Sequence, residues 1–467
     1  MSTEPPIVVV GAGCAGLAAA ERLAAAGRRV LVLEEMDCVG GLAGGARSGR
    51  DVYEYGPHVF HTTDPEILAD VKGLMGADLL PFHRTIRIKF LDSYFEFPLR
   101  VSDVVGRLPL TTVLAAAATY IWRAAQGLVY RPAVENSETV LLRNYGDVLY
   151  RLFFRDYITR VWGIPPSAFS PSFAKERIPR FNFLEFLDKA AAALRRWRRP
   201  AQARTATQGF VEKVAGDLFT TREGFHAILE RMAERLRGRG AEIRLSTRVE
   251  RLVREGDRVA ALVVRGPGGE ETIPCAGVIS TMAVNETALA LDPGLGPEVA
   301  AAAGALVFRA IVFVGIKVRR PKVLPASFMY FREHSFNRIT DFSYFSFHIE
   351  PPGTTLLVAE VTCSPSDPVW TDDALARDWV LDDLAREKIL ERGEVEAVHV
   401  FRARHAHPIY AMGYERALKS ILDAFGRLPN LETAGRQGLF QYVNGHVAMK
   451  MGREAADRLR ARLGSAA

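Results

Sequence analysis

The sequence predicts an α/β fold: a parallel-sheet domain, discontinuous along the chain, with a mixed α+β domain inserted into it. Three observations predict it. Ile7–Val10 is a run of four β-branched residues, and Gly11, Gly13 and Gly16 follow it in G-x-G-x-x-G spacing. Val30–Leu33 is a second apolar run, ending at Glu34, 18 residues beyond Gly16. Short apolar runs and glycines recur late in the chain, at 278–281 and 435–438. Strand, glycine turn, helix and acid-ended strand in register make a Rossmann-type unit.

Each part has a physical reason. β-Branched residues suit a short buried strand. Gly11 permits the tight turn, Gly13 lets backbone approach a pyrophosphate, and Gly16 lets helix pack on strand. Residues 17–26 are rich in Ala and Leu, and Gly27 is placed to end that helix. Its N-terminus, with Cys14 and Ala15, offers free N–H groups to an anion. Glu34, with Glu35 beside it, stands where an acid takes a ribose hydroxyl, which argues against a 2′-phosphate. Gly40-Gly41-Leu42 follows and lets backbone reach the ligand from its other side.

The middle of the chain reads as a second domain. Residues 53–62 form a compact aromatic loop with Gly56-Pro57, His58 and His61, then a capping Thr62 before a helix over Pro65–Met75. Residues 86–98 read as a hairpin. Residues 110–128 form an Ala-rich helix, and 138–158 carry helical spacing that runs on to Trp162-Gly163. Residues 194–204 are strongly basic and read chiefly as a solvated loop. Hairpin signals at 242–265, a strand ending in Ser280-Thr281, and strands at 306–318, 327–331, 337–347 and 355–362 complete the pattern. Helices are expected at 379–391, up to Phe425, and from Val447. Arg309 inside an apolar strand requires a buried acid or an anionic ligand. The expected division is 1–82, 205–292 and 400–467 for the dinucleotide domain, with 83–204 and 293–399 for the substrate domain.

Composition narrows the function. At 467 residues two domains are expected. A net charge of +6 favours anionic small molecules or a membrane surface without making a nucleic-acid-binding protein. Cys14, Cys38, Cys275 and Cys363 are scattered without a C-x-x-C pair, so neither a metal site nor a disulfide framework is expected. No signal peptide or bilayer-spanning run is visible, so a cytoplasmic location is expected. The stretches 110–128 and 195–204 are candidates for peripheral contact with the inner face of a membrane. The oligomeric state is left open.

Taken together, these motifs resemble the glutathione-reductase-type flavoproteins, whose dinucleotide is FAD. The stretch Gly56-Pro57-His58-Val59-Phe60-His61-Thr62 resembles a loop of bacterial UDP-galactopyranose mutases. The chain is similar more broadly to protoporphyrinogen oxidases, amine oxidases and carotenoid desaturases. The resemblance implies FAD contacts from the glycines and acids above, from Gly56 and His58, and from Val249 and Thr281. It implies closing contacts from Gly435 and Arg436, and from Tyr442, Val443 and Asn444. His61 would sit near the isoalloxazine. Arg177 or Arg180, together with Arg309, would take a substrate diphosphate, with Trp162, Phe336 and Arg338 in the same pocket. This chain departs from the pattern at Leu42, at 442–446, and at Phe183, Phe336 and 406–408, where mutase tyrosines are expected.

Three functions compete. The first is a mutase-like FAD enzyme acting on a nucleotide sugar or related phosphorylated sugar. The second is an FAD-dependent oxidase or desaturase of an apolar substrate. The third is a non-catalytic FAD-bound scaffold.

Overall fold

The computed structural model describes residues 4–90, 93–96, 108–129, 133–178 and 217–465. Arg180, Phe183 and the basic run 195–204 lie outside the described residues.

The two apolar runs form the centre of a five-stranded parallel sheet. Its order is Leu431–Thr433, Gly277–Ser280, Ile7–Val10, Val30–Leu33 and Glu242–Arg244. Both faces are covered, so Ile7–Val10 and Val30–Leu33 are buried at every position, as parallel strands require. The helix Cys14–Ala25 starts directly after the glycine turn. It packs between this sheet and the C-terminal helix Gly445–Ser465. Both contacts are backbone-close. A Cβ on Gly16 would lie 1.8 Å from the Gly11 carbonyl oxygen, and one on Gly452 would lie 2.0 Å from that of Ala15.

The second sheet has seven strands, in the order Val395–Pro408, Phe308–Val318, Thr355–Cys363, Arg338–Asp341, Phe328–Phe331, Ile86–Phe90 and Ser93–Glu96. Phe308–Val318 is buried along its whole length and pairs antiparallel on both sides. The boundary expected at residue 400 falls inside the strand Val395–Pro408. That strand is held along its length by Phe308–Val318, so the chain rejoins the parallel sheet only at Leu431–Thr433.

Several local expectations change. Helix Pro65–Met75 is capped by Asp64, whose carboxylate accepts from Glu66 N and Ile67 N; Thr62 instead holds Asp64 N. The helical stretch expected over 138–158 is Ser137–Tyr150, a π turn Arg151–Arg155, and Asp156–Trp162. It breaks at Gly146, φ 73°, where a Cβ would meet the backbone of Tyr120 on the crossing helix Leu110–Val129. That crossing helix is only partly covered, with Leu110, Leu114, Ile121 and Trp122 facing outward. Among the described residues no helix is long and apolar enough to cross a membrane.

Gly452→Ala should cost about 1–3 kcal/mol, because the two helices cannot separate without losing packing on both faces. Urea unfolding of the holoprotein against wild type measures it, and an unchanged midpoint would refute the close approach.

Candidate cofactor and substrate cleft

A cleft of about 1060 Å³ runs between the two sheets, from the glycine turn to the segment 442–445. At its first end the start of helix Cys14–Ala25 has no side-chain cap, which leaves its leading N–H groups for a ligand. Gly13 and Gly40 meet across a backbone bridge, and Gly40 N donates to the Ala12 carbonyl at 2.9 Å. Gly40 has φ 122°, and a Cβ there would strike the backbone of Gly44. Glu34 ends its strand beneath this turn. Its carboxylate accepts from Ala12 N at 2.7 Å and Met36 N at 3.0 Å. Burial raises its pKa, and those two hydrogen bonds oppose the rise. Glu35, Gly41, Leu42, Val249 and Thr281 lie along the same wall. Gly16 serves packing and does not line the cleft.

The other end is aromatic and cationic. Gly56, φ 135°, turns the chain over an ion pair: Arg338 Nε to Glu360 Oε1 at 2.6 Å and Nη2 to Oε2 at 2.9 Å. Arg338 comes from the strand Arg338–Asp341 and Glu360 from its neighbour Thr355–Cys363, where the two stand opposite each other. Burial disfavours the Arg338 cation, but the Glu360 carboxylate more than offsets this and raises its pKa. His58 and His61 face the cleft. His58 is driven down to about 3, first by burial and then by Arg436 and Arg338, and its Nδ1 is buried without a partner. His61 Nε2 lies 3.3 Å from Asn444 Nδ2, and its ring stands edge-on to His446 at 4.5 Å. Arg436 donates through Nε and Nη2 to the Val443 carbonyl, at 3.1 and 2.7 Å, and so shapes the closing segment.

Tyr442 is the focus of this end. Arg177 lies over its ring at 4.1 Å and Arg436 at 4.5 Å. Arg177 also donates to the Tyr442 carbonyl at 3.3 Å. Trp162 sits behind the wall, 6.4 Å from Tyr442 and 5.6 Å from His407.

Two expected contacts are corrected. Arg309 does not line the cleft, and its hydrogen bonds go to no carboxylate. Its guanidinium donates to the carbonyls of Val161 at 3.0 Å, Arg160 at 3.3 Å and Thr362 at 3.3 Å, and to Ser364 Oγ at 2.9 Å. Neutral carbonyls at the end of helix Asp156–Trp162 solvate it, and Gly163 leaves the space for it. Phe336 does not face the cleft either. It is fully buried in the core of the seven-stranded sheet, 4.9 Å from Phe331 and 5.7 Å from His334. Glu360 and His407, which line this end of the cleft, were missed. Glu360 is the single acid in the apolar run Thr355–Cys363, a signal the sequence did carry. His407 lies in a segment recognised only for its lack of tyrosine.

A family model described as flavin containing amine oxidoreductase matches residues 14–458. The chain belongs to that family. The phytoene dehydrogenase of Streptomyces griseus is 33% identical over 299 residues, 59% of this chain and 54% of that protein. The dTDP-fucopyranose mutase of Escherichia coli is 23% identical over 180 residues, 38% of this chain and 47% of that protein. The chain thus spans about half the length of the curated relatives it matches. A crystal structure of reduced UDP-galactopyranose mutase shares the fold, with TM-score 0.81 and 21% identity over 98% of this chain and 94% of that one.

As a flavin-containing amine oxidoreductase the protein is an FAD-dependent enzyme, which removes the scaffold alternative. The cleft fits that cofactor. The glycine cradle and bare helix start suit the diphosphate, Glu34 suits the ribose, and the orphaned His58 Nδ1 suits a polar edge of the flavin.

Glu34→Gln should lower FAD affinity about ten- to hundredfold, the cost of a lost charge-assisted hydrogen bond; flavin fluorescence on reconstitution of the apoprotein reads it. Burial holds His58 far below the ordinary histidine value of 6.5, so the unfolded chain binds that proton first as pH falls. The stability His58 contributes is therefore complete above about pH 6.5 and lost progressively toward pH 3. Holoprotein melting temperature should fall less steeply over that window in His58→Asn than in wild type, and parallel curves would refute a neutral His58.

Proposed function

We propose that this flavoenzyme is UDP-galactopyranose mutase-like and acts on a nucleotide sugar or a related phosphorylated sugar. The observation that carries this reading is the stack of Arg177, Tyr442 and Arg436, with Arg338 acting on the same site. Guanidinium forks match diphosphate oxygens and stabilise negative charge gathering on a leaving diphosphate. When bound, FAD supplies a ring that is nucleophilic when reduced and hydride-accepting when oxidised. The chain's part is to bind and orient. Arg177 and Arg338 hold the anion, Glu360 keeps the Arg338 fork in one direction, and His58 and His61 shape the wall against the ring. Arg180 remains a candidate for the same anion.

A second reading, an oxidase or desaturase of an apolar substrate, is favoured by Arg309. Carbonyls and the Ser364 hydroxyl hold its guanidinium outside the cleft lining, which leaves one cation fewer for a diphosphate. The likeness to a phytoene dehydrogenase points the same way.

Dithionite-reduced holoprotein should bind and interconvert ring forms of a UDP- or dTDP-hexose. Arg177→Ala should weaken that binding about ten- to hundredfold with flavin absorbance unchanged. If no UDP- or dTDP-hexose is bound or turned over, while an apolar substrate bleaches the oxidised flavin anaerobically, the second reading replaces the first.

A further inference from the structure

His407 lines the cleft but has no part in the reading above. It sits near the end of the strand Val395–Pro408, in register with Arg309 across the pair. Its ring lies 4.8 Å from Tyr442 and 5.6 Å from Trp162, and its Nδ1 is buried with no hydrogen-bond partner. Charged groups approach from every element around it. Arg177 comes from helix Pro171–Arg177 and Arg436 from the short helix Gly435–Gly438. Arg338 comes from the seven-stranded sheet with its partner Glu360. Arg309 is held by carbonyls. On its own strand, His405 is directed elsewhere, 3.4 Å from Glu286, and Arg404 lies over Trp370 at 5.8 Å. Burial, then Arg436, Arg338 and Arg177, hold His407 well below the ordinary histidine range, so it is neutral when the cleft holds no anion.

We propose that an anionic ligand entering this end of the cleft and a proton on His407 bind together, His407 becoming the imidazolium that donates to the anion. The proton comes from solvent and returns to it when the ligand leaves. The physical reason is mutual screening. A diphosphate offsets the field of Arg436, Arg338 and Arg177, which adds to burial in excluding the imidazolium, and offers the ring an anionic acceptor. Linkage makes the effect reciprocal, so lower pH tightens anion binding. The inference rests on the anion-binding reading of the same cleft and adds His407 as a ligand-binding residue that selects anions over neutral substrates.

The test is calorimetric titration of both the oxidised and the photoreduced holoprotein at pH 7 to 8, in buffers of differing ionisation heat. The probes are sulfate and a UDP-hexose, both fully ionised in that range. Wild type should take up a fraction of a proton on binding, larger at pH 7 than at pH 8, and His407→Asn should lose that uptake while retaining FAD. A carbon-labelled histidine NMR spectrum of wild type should show one imidazole shifting to the protonated position as sulfate is added. Binding of either probe without proton uptake overturns the inference, as does equal uptake in His407→Asn. If sulfate binds with uptake and the UDP-hexose does not bind, the nucleotide-sugar reading fails and the inference stands. If neither binds, both fail.

Discussion

Backbone contact without side chains is the constraint on which the rest of this structure depends. At Gly16 the first turn of a helix rests on the carbonyl of Gly11, and at Gly452 the last helix rests on the carbonyl of Ala15. A methyl group at either place would have no room. These contacts clamp Cys14–Ala25 between the parallel sheet and Gly445–Ser465, and so set where its uncapped N-terminus points. Glu34 and Gly40 then register to that helix start through Ala12, one on its N–H and the other on its carbonyl. The same C-terminal helix begins at Gly445 beside His61 and Asn444, so the clamp positions both ends of the cleft.

The second theme is how buried cations are kept. Removing a guanidinium from water is costly unless its donors are satisfied. The chain uses three different solutions. Arg309 is solvated by carbonyls and a hydroxyl, Arg338 is paired with a carboxylate, and Arg177 and Arg436 lie against the face of Tyr442 and donate to carbonyls. Only the carboxylate cancels charge. Carbonyls satisfy hydrogen bonds and leave the positive field in place, and that field adds to burial in holding the pKa of His58 and His407 down.

Much of the dinucleotide half was legible because its signals are local. Gly11, Gly13, Gly16, Glu34 and Gly40 each do a job set by residues within one strand–turn–helix unit, and their spacing shows it. The substrate half was less legible. Arg309 and Phe336 were expected at the ligand, and both face elsewhere. An arginine in a buried strand announces that its charge must be met, but whether by an acid, a ligand or the carbonyl end of the helix Asp156–Trp162 depends on a neighbour about 150 residues away. Phe336 reads the same in a core as in a pocket, since an aromatic ring suits both.

By itself the sequence determined the fold class and the dinucleotide-type turn, because strand hydrophobicity and glycine spacing act over a few residues, and its resemblance to flavoproteins pointed to FAD. Only the tertiary structure decided the chemistry at the far end of the cleft. Glu360 meets Arg338 through strand register, and Arg177, Arg436 and His407 converge on Tyr442 from a helix, a turn and a sheet edge. Charge at a buried point is a sum over everything folded around it, and no single stretch of chain carries that sum.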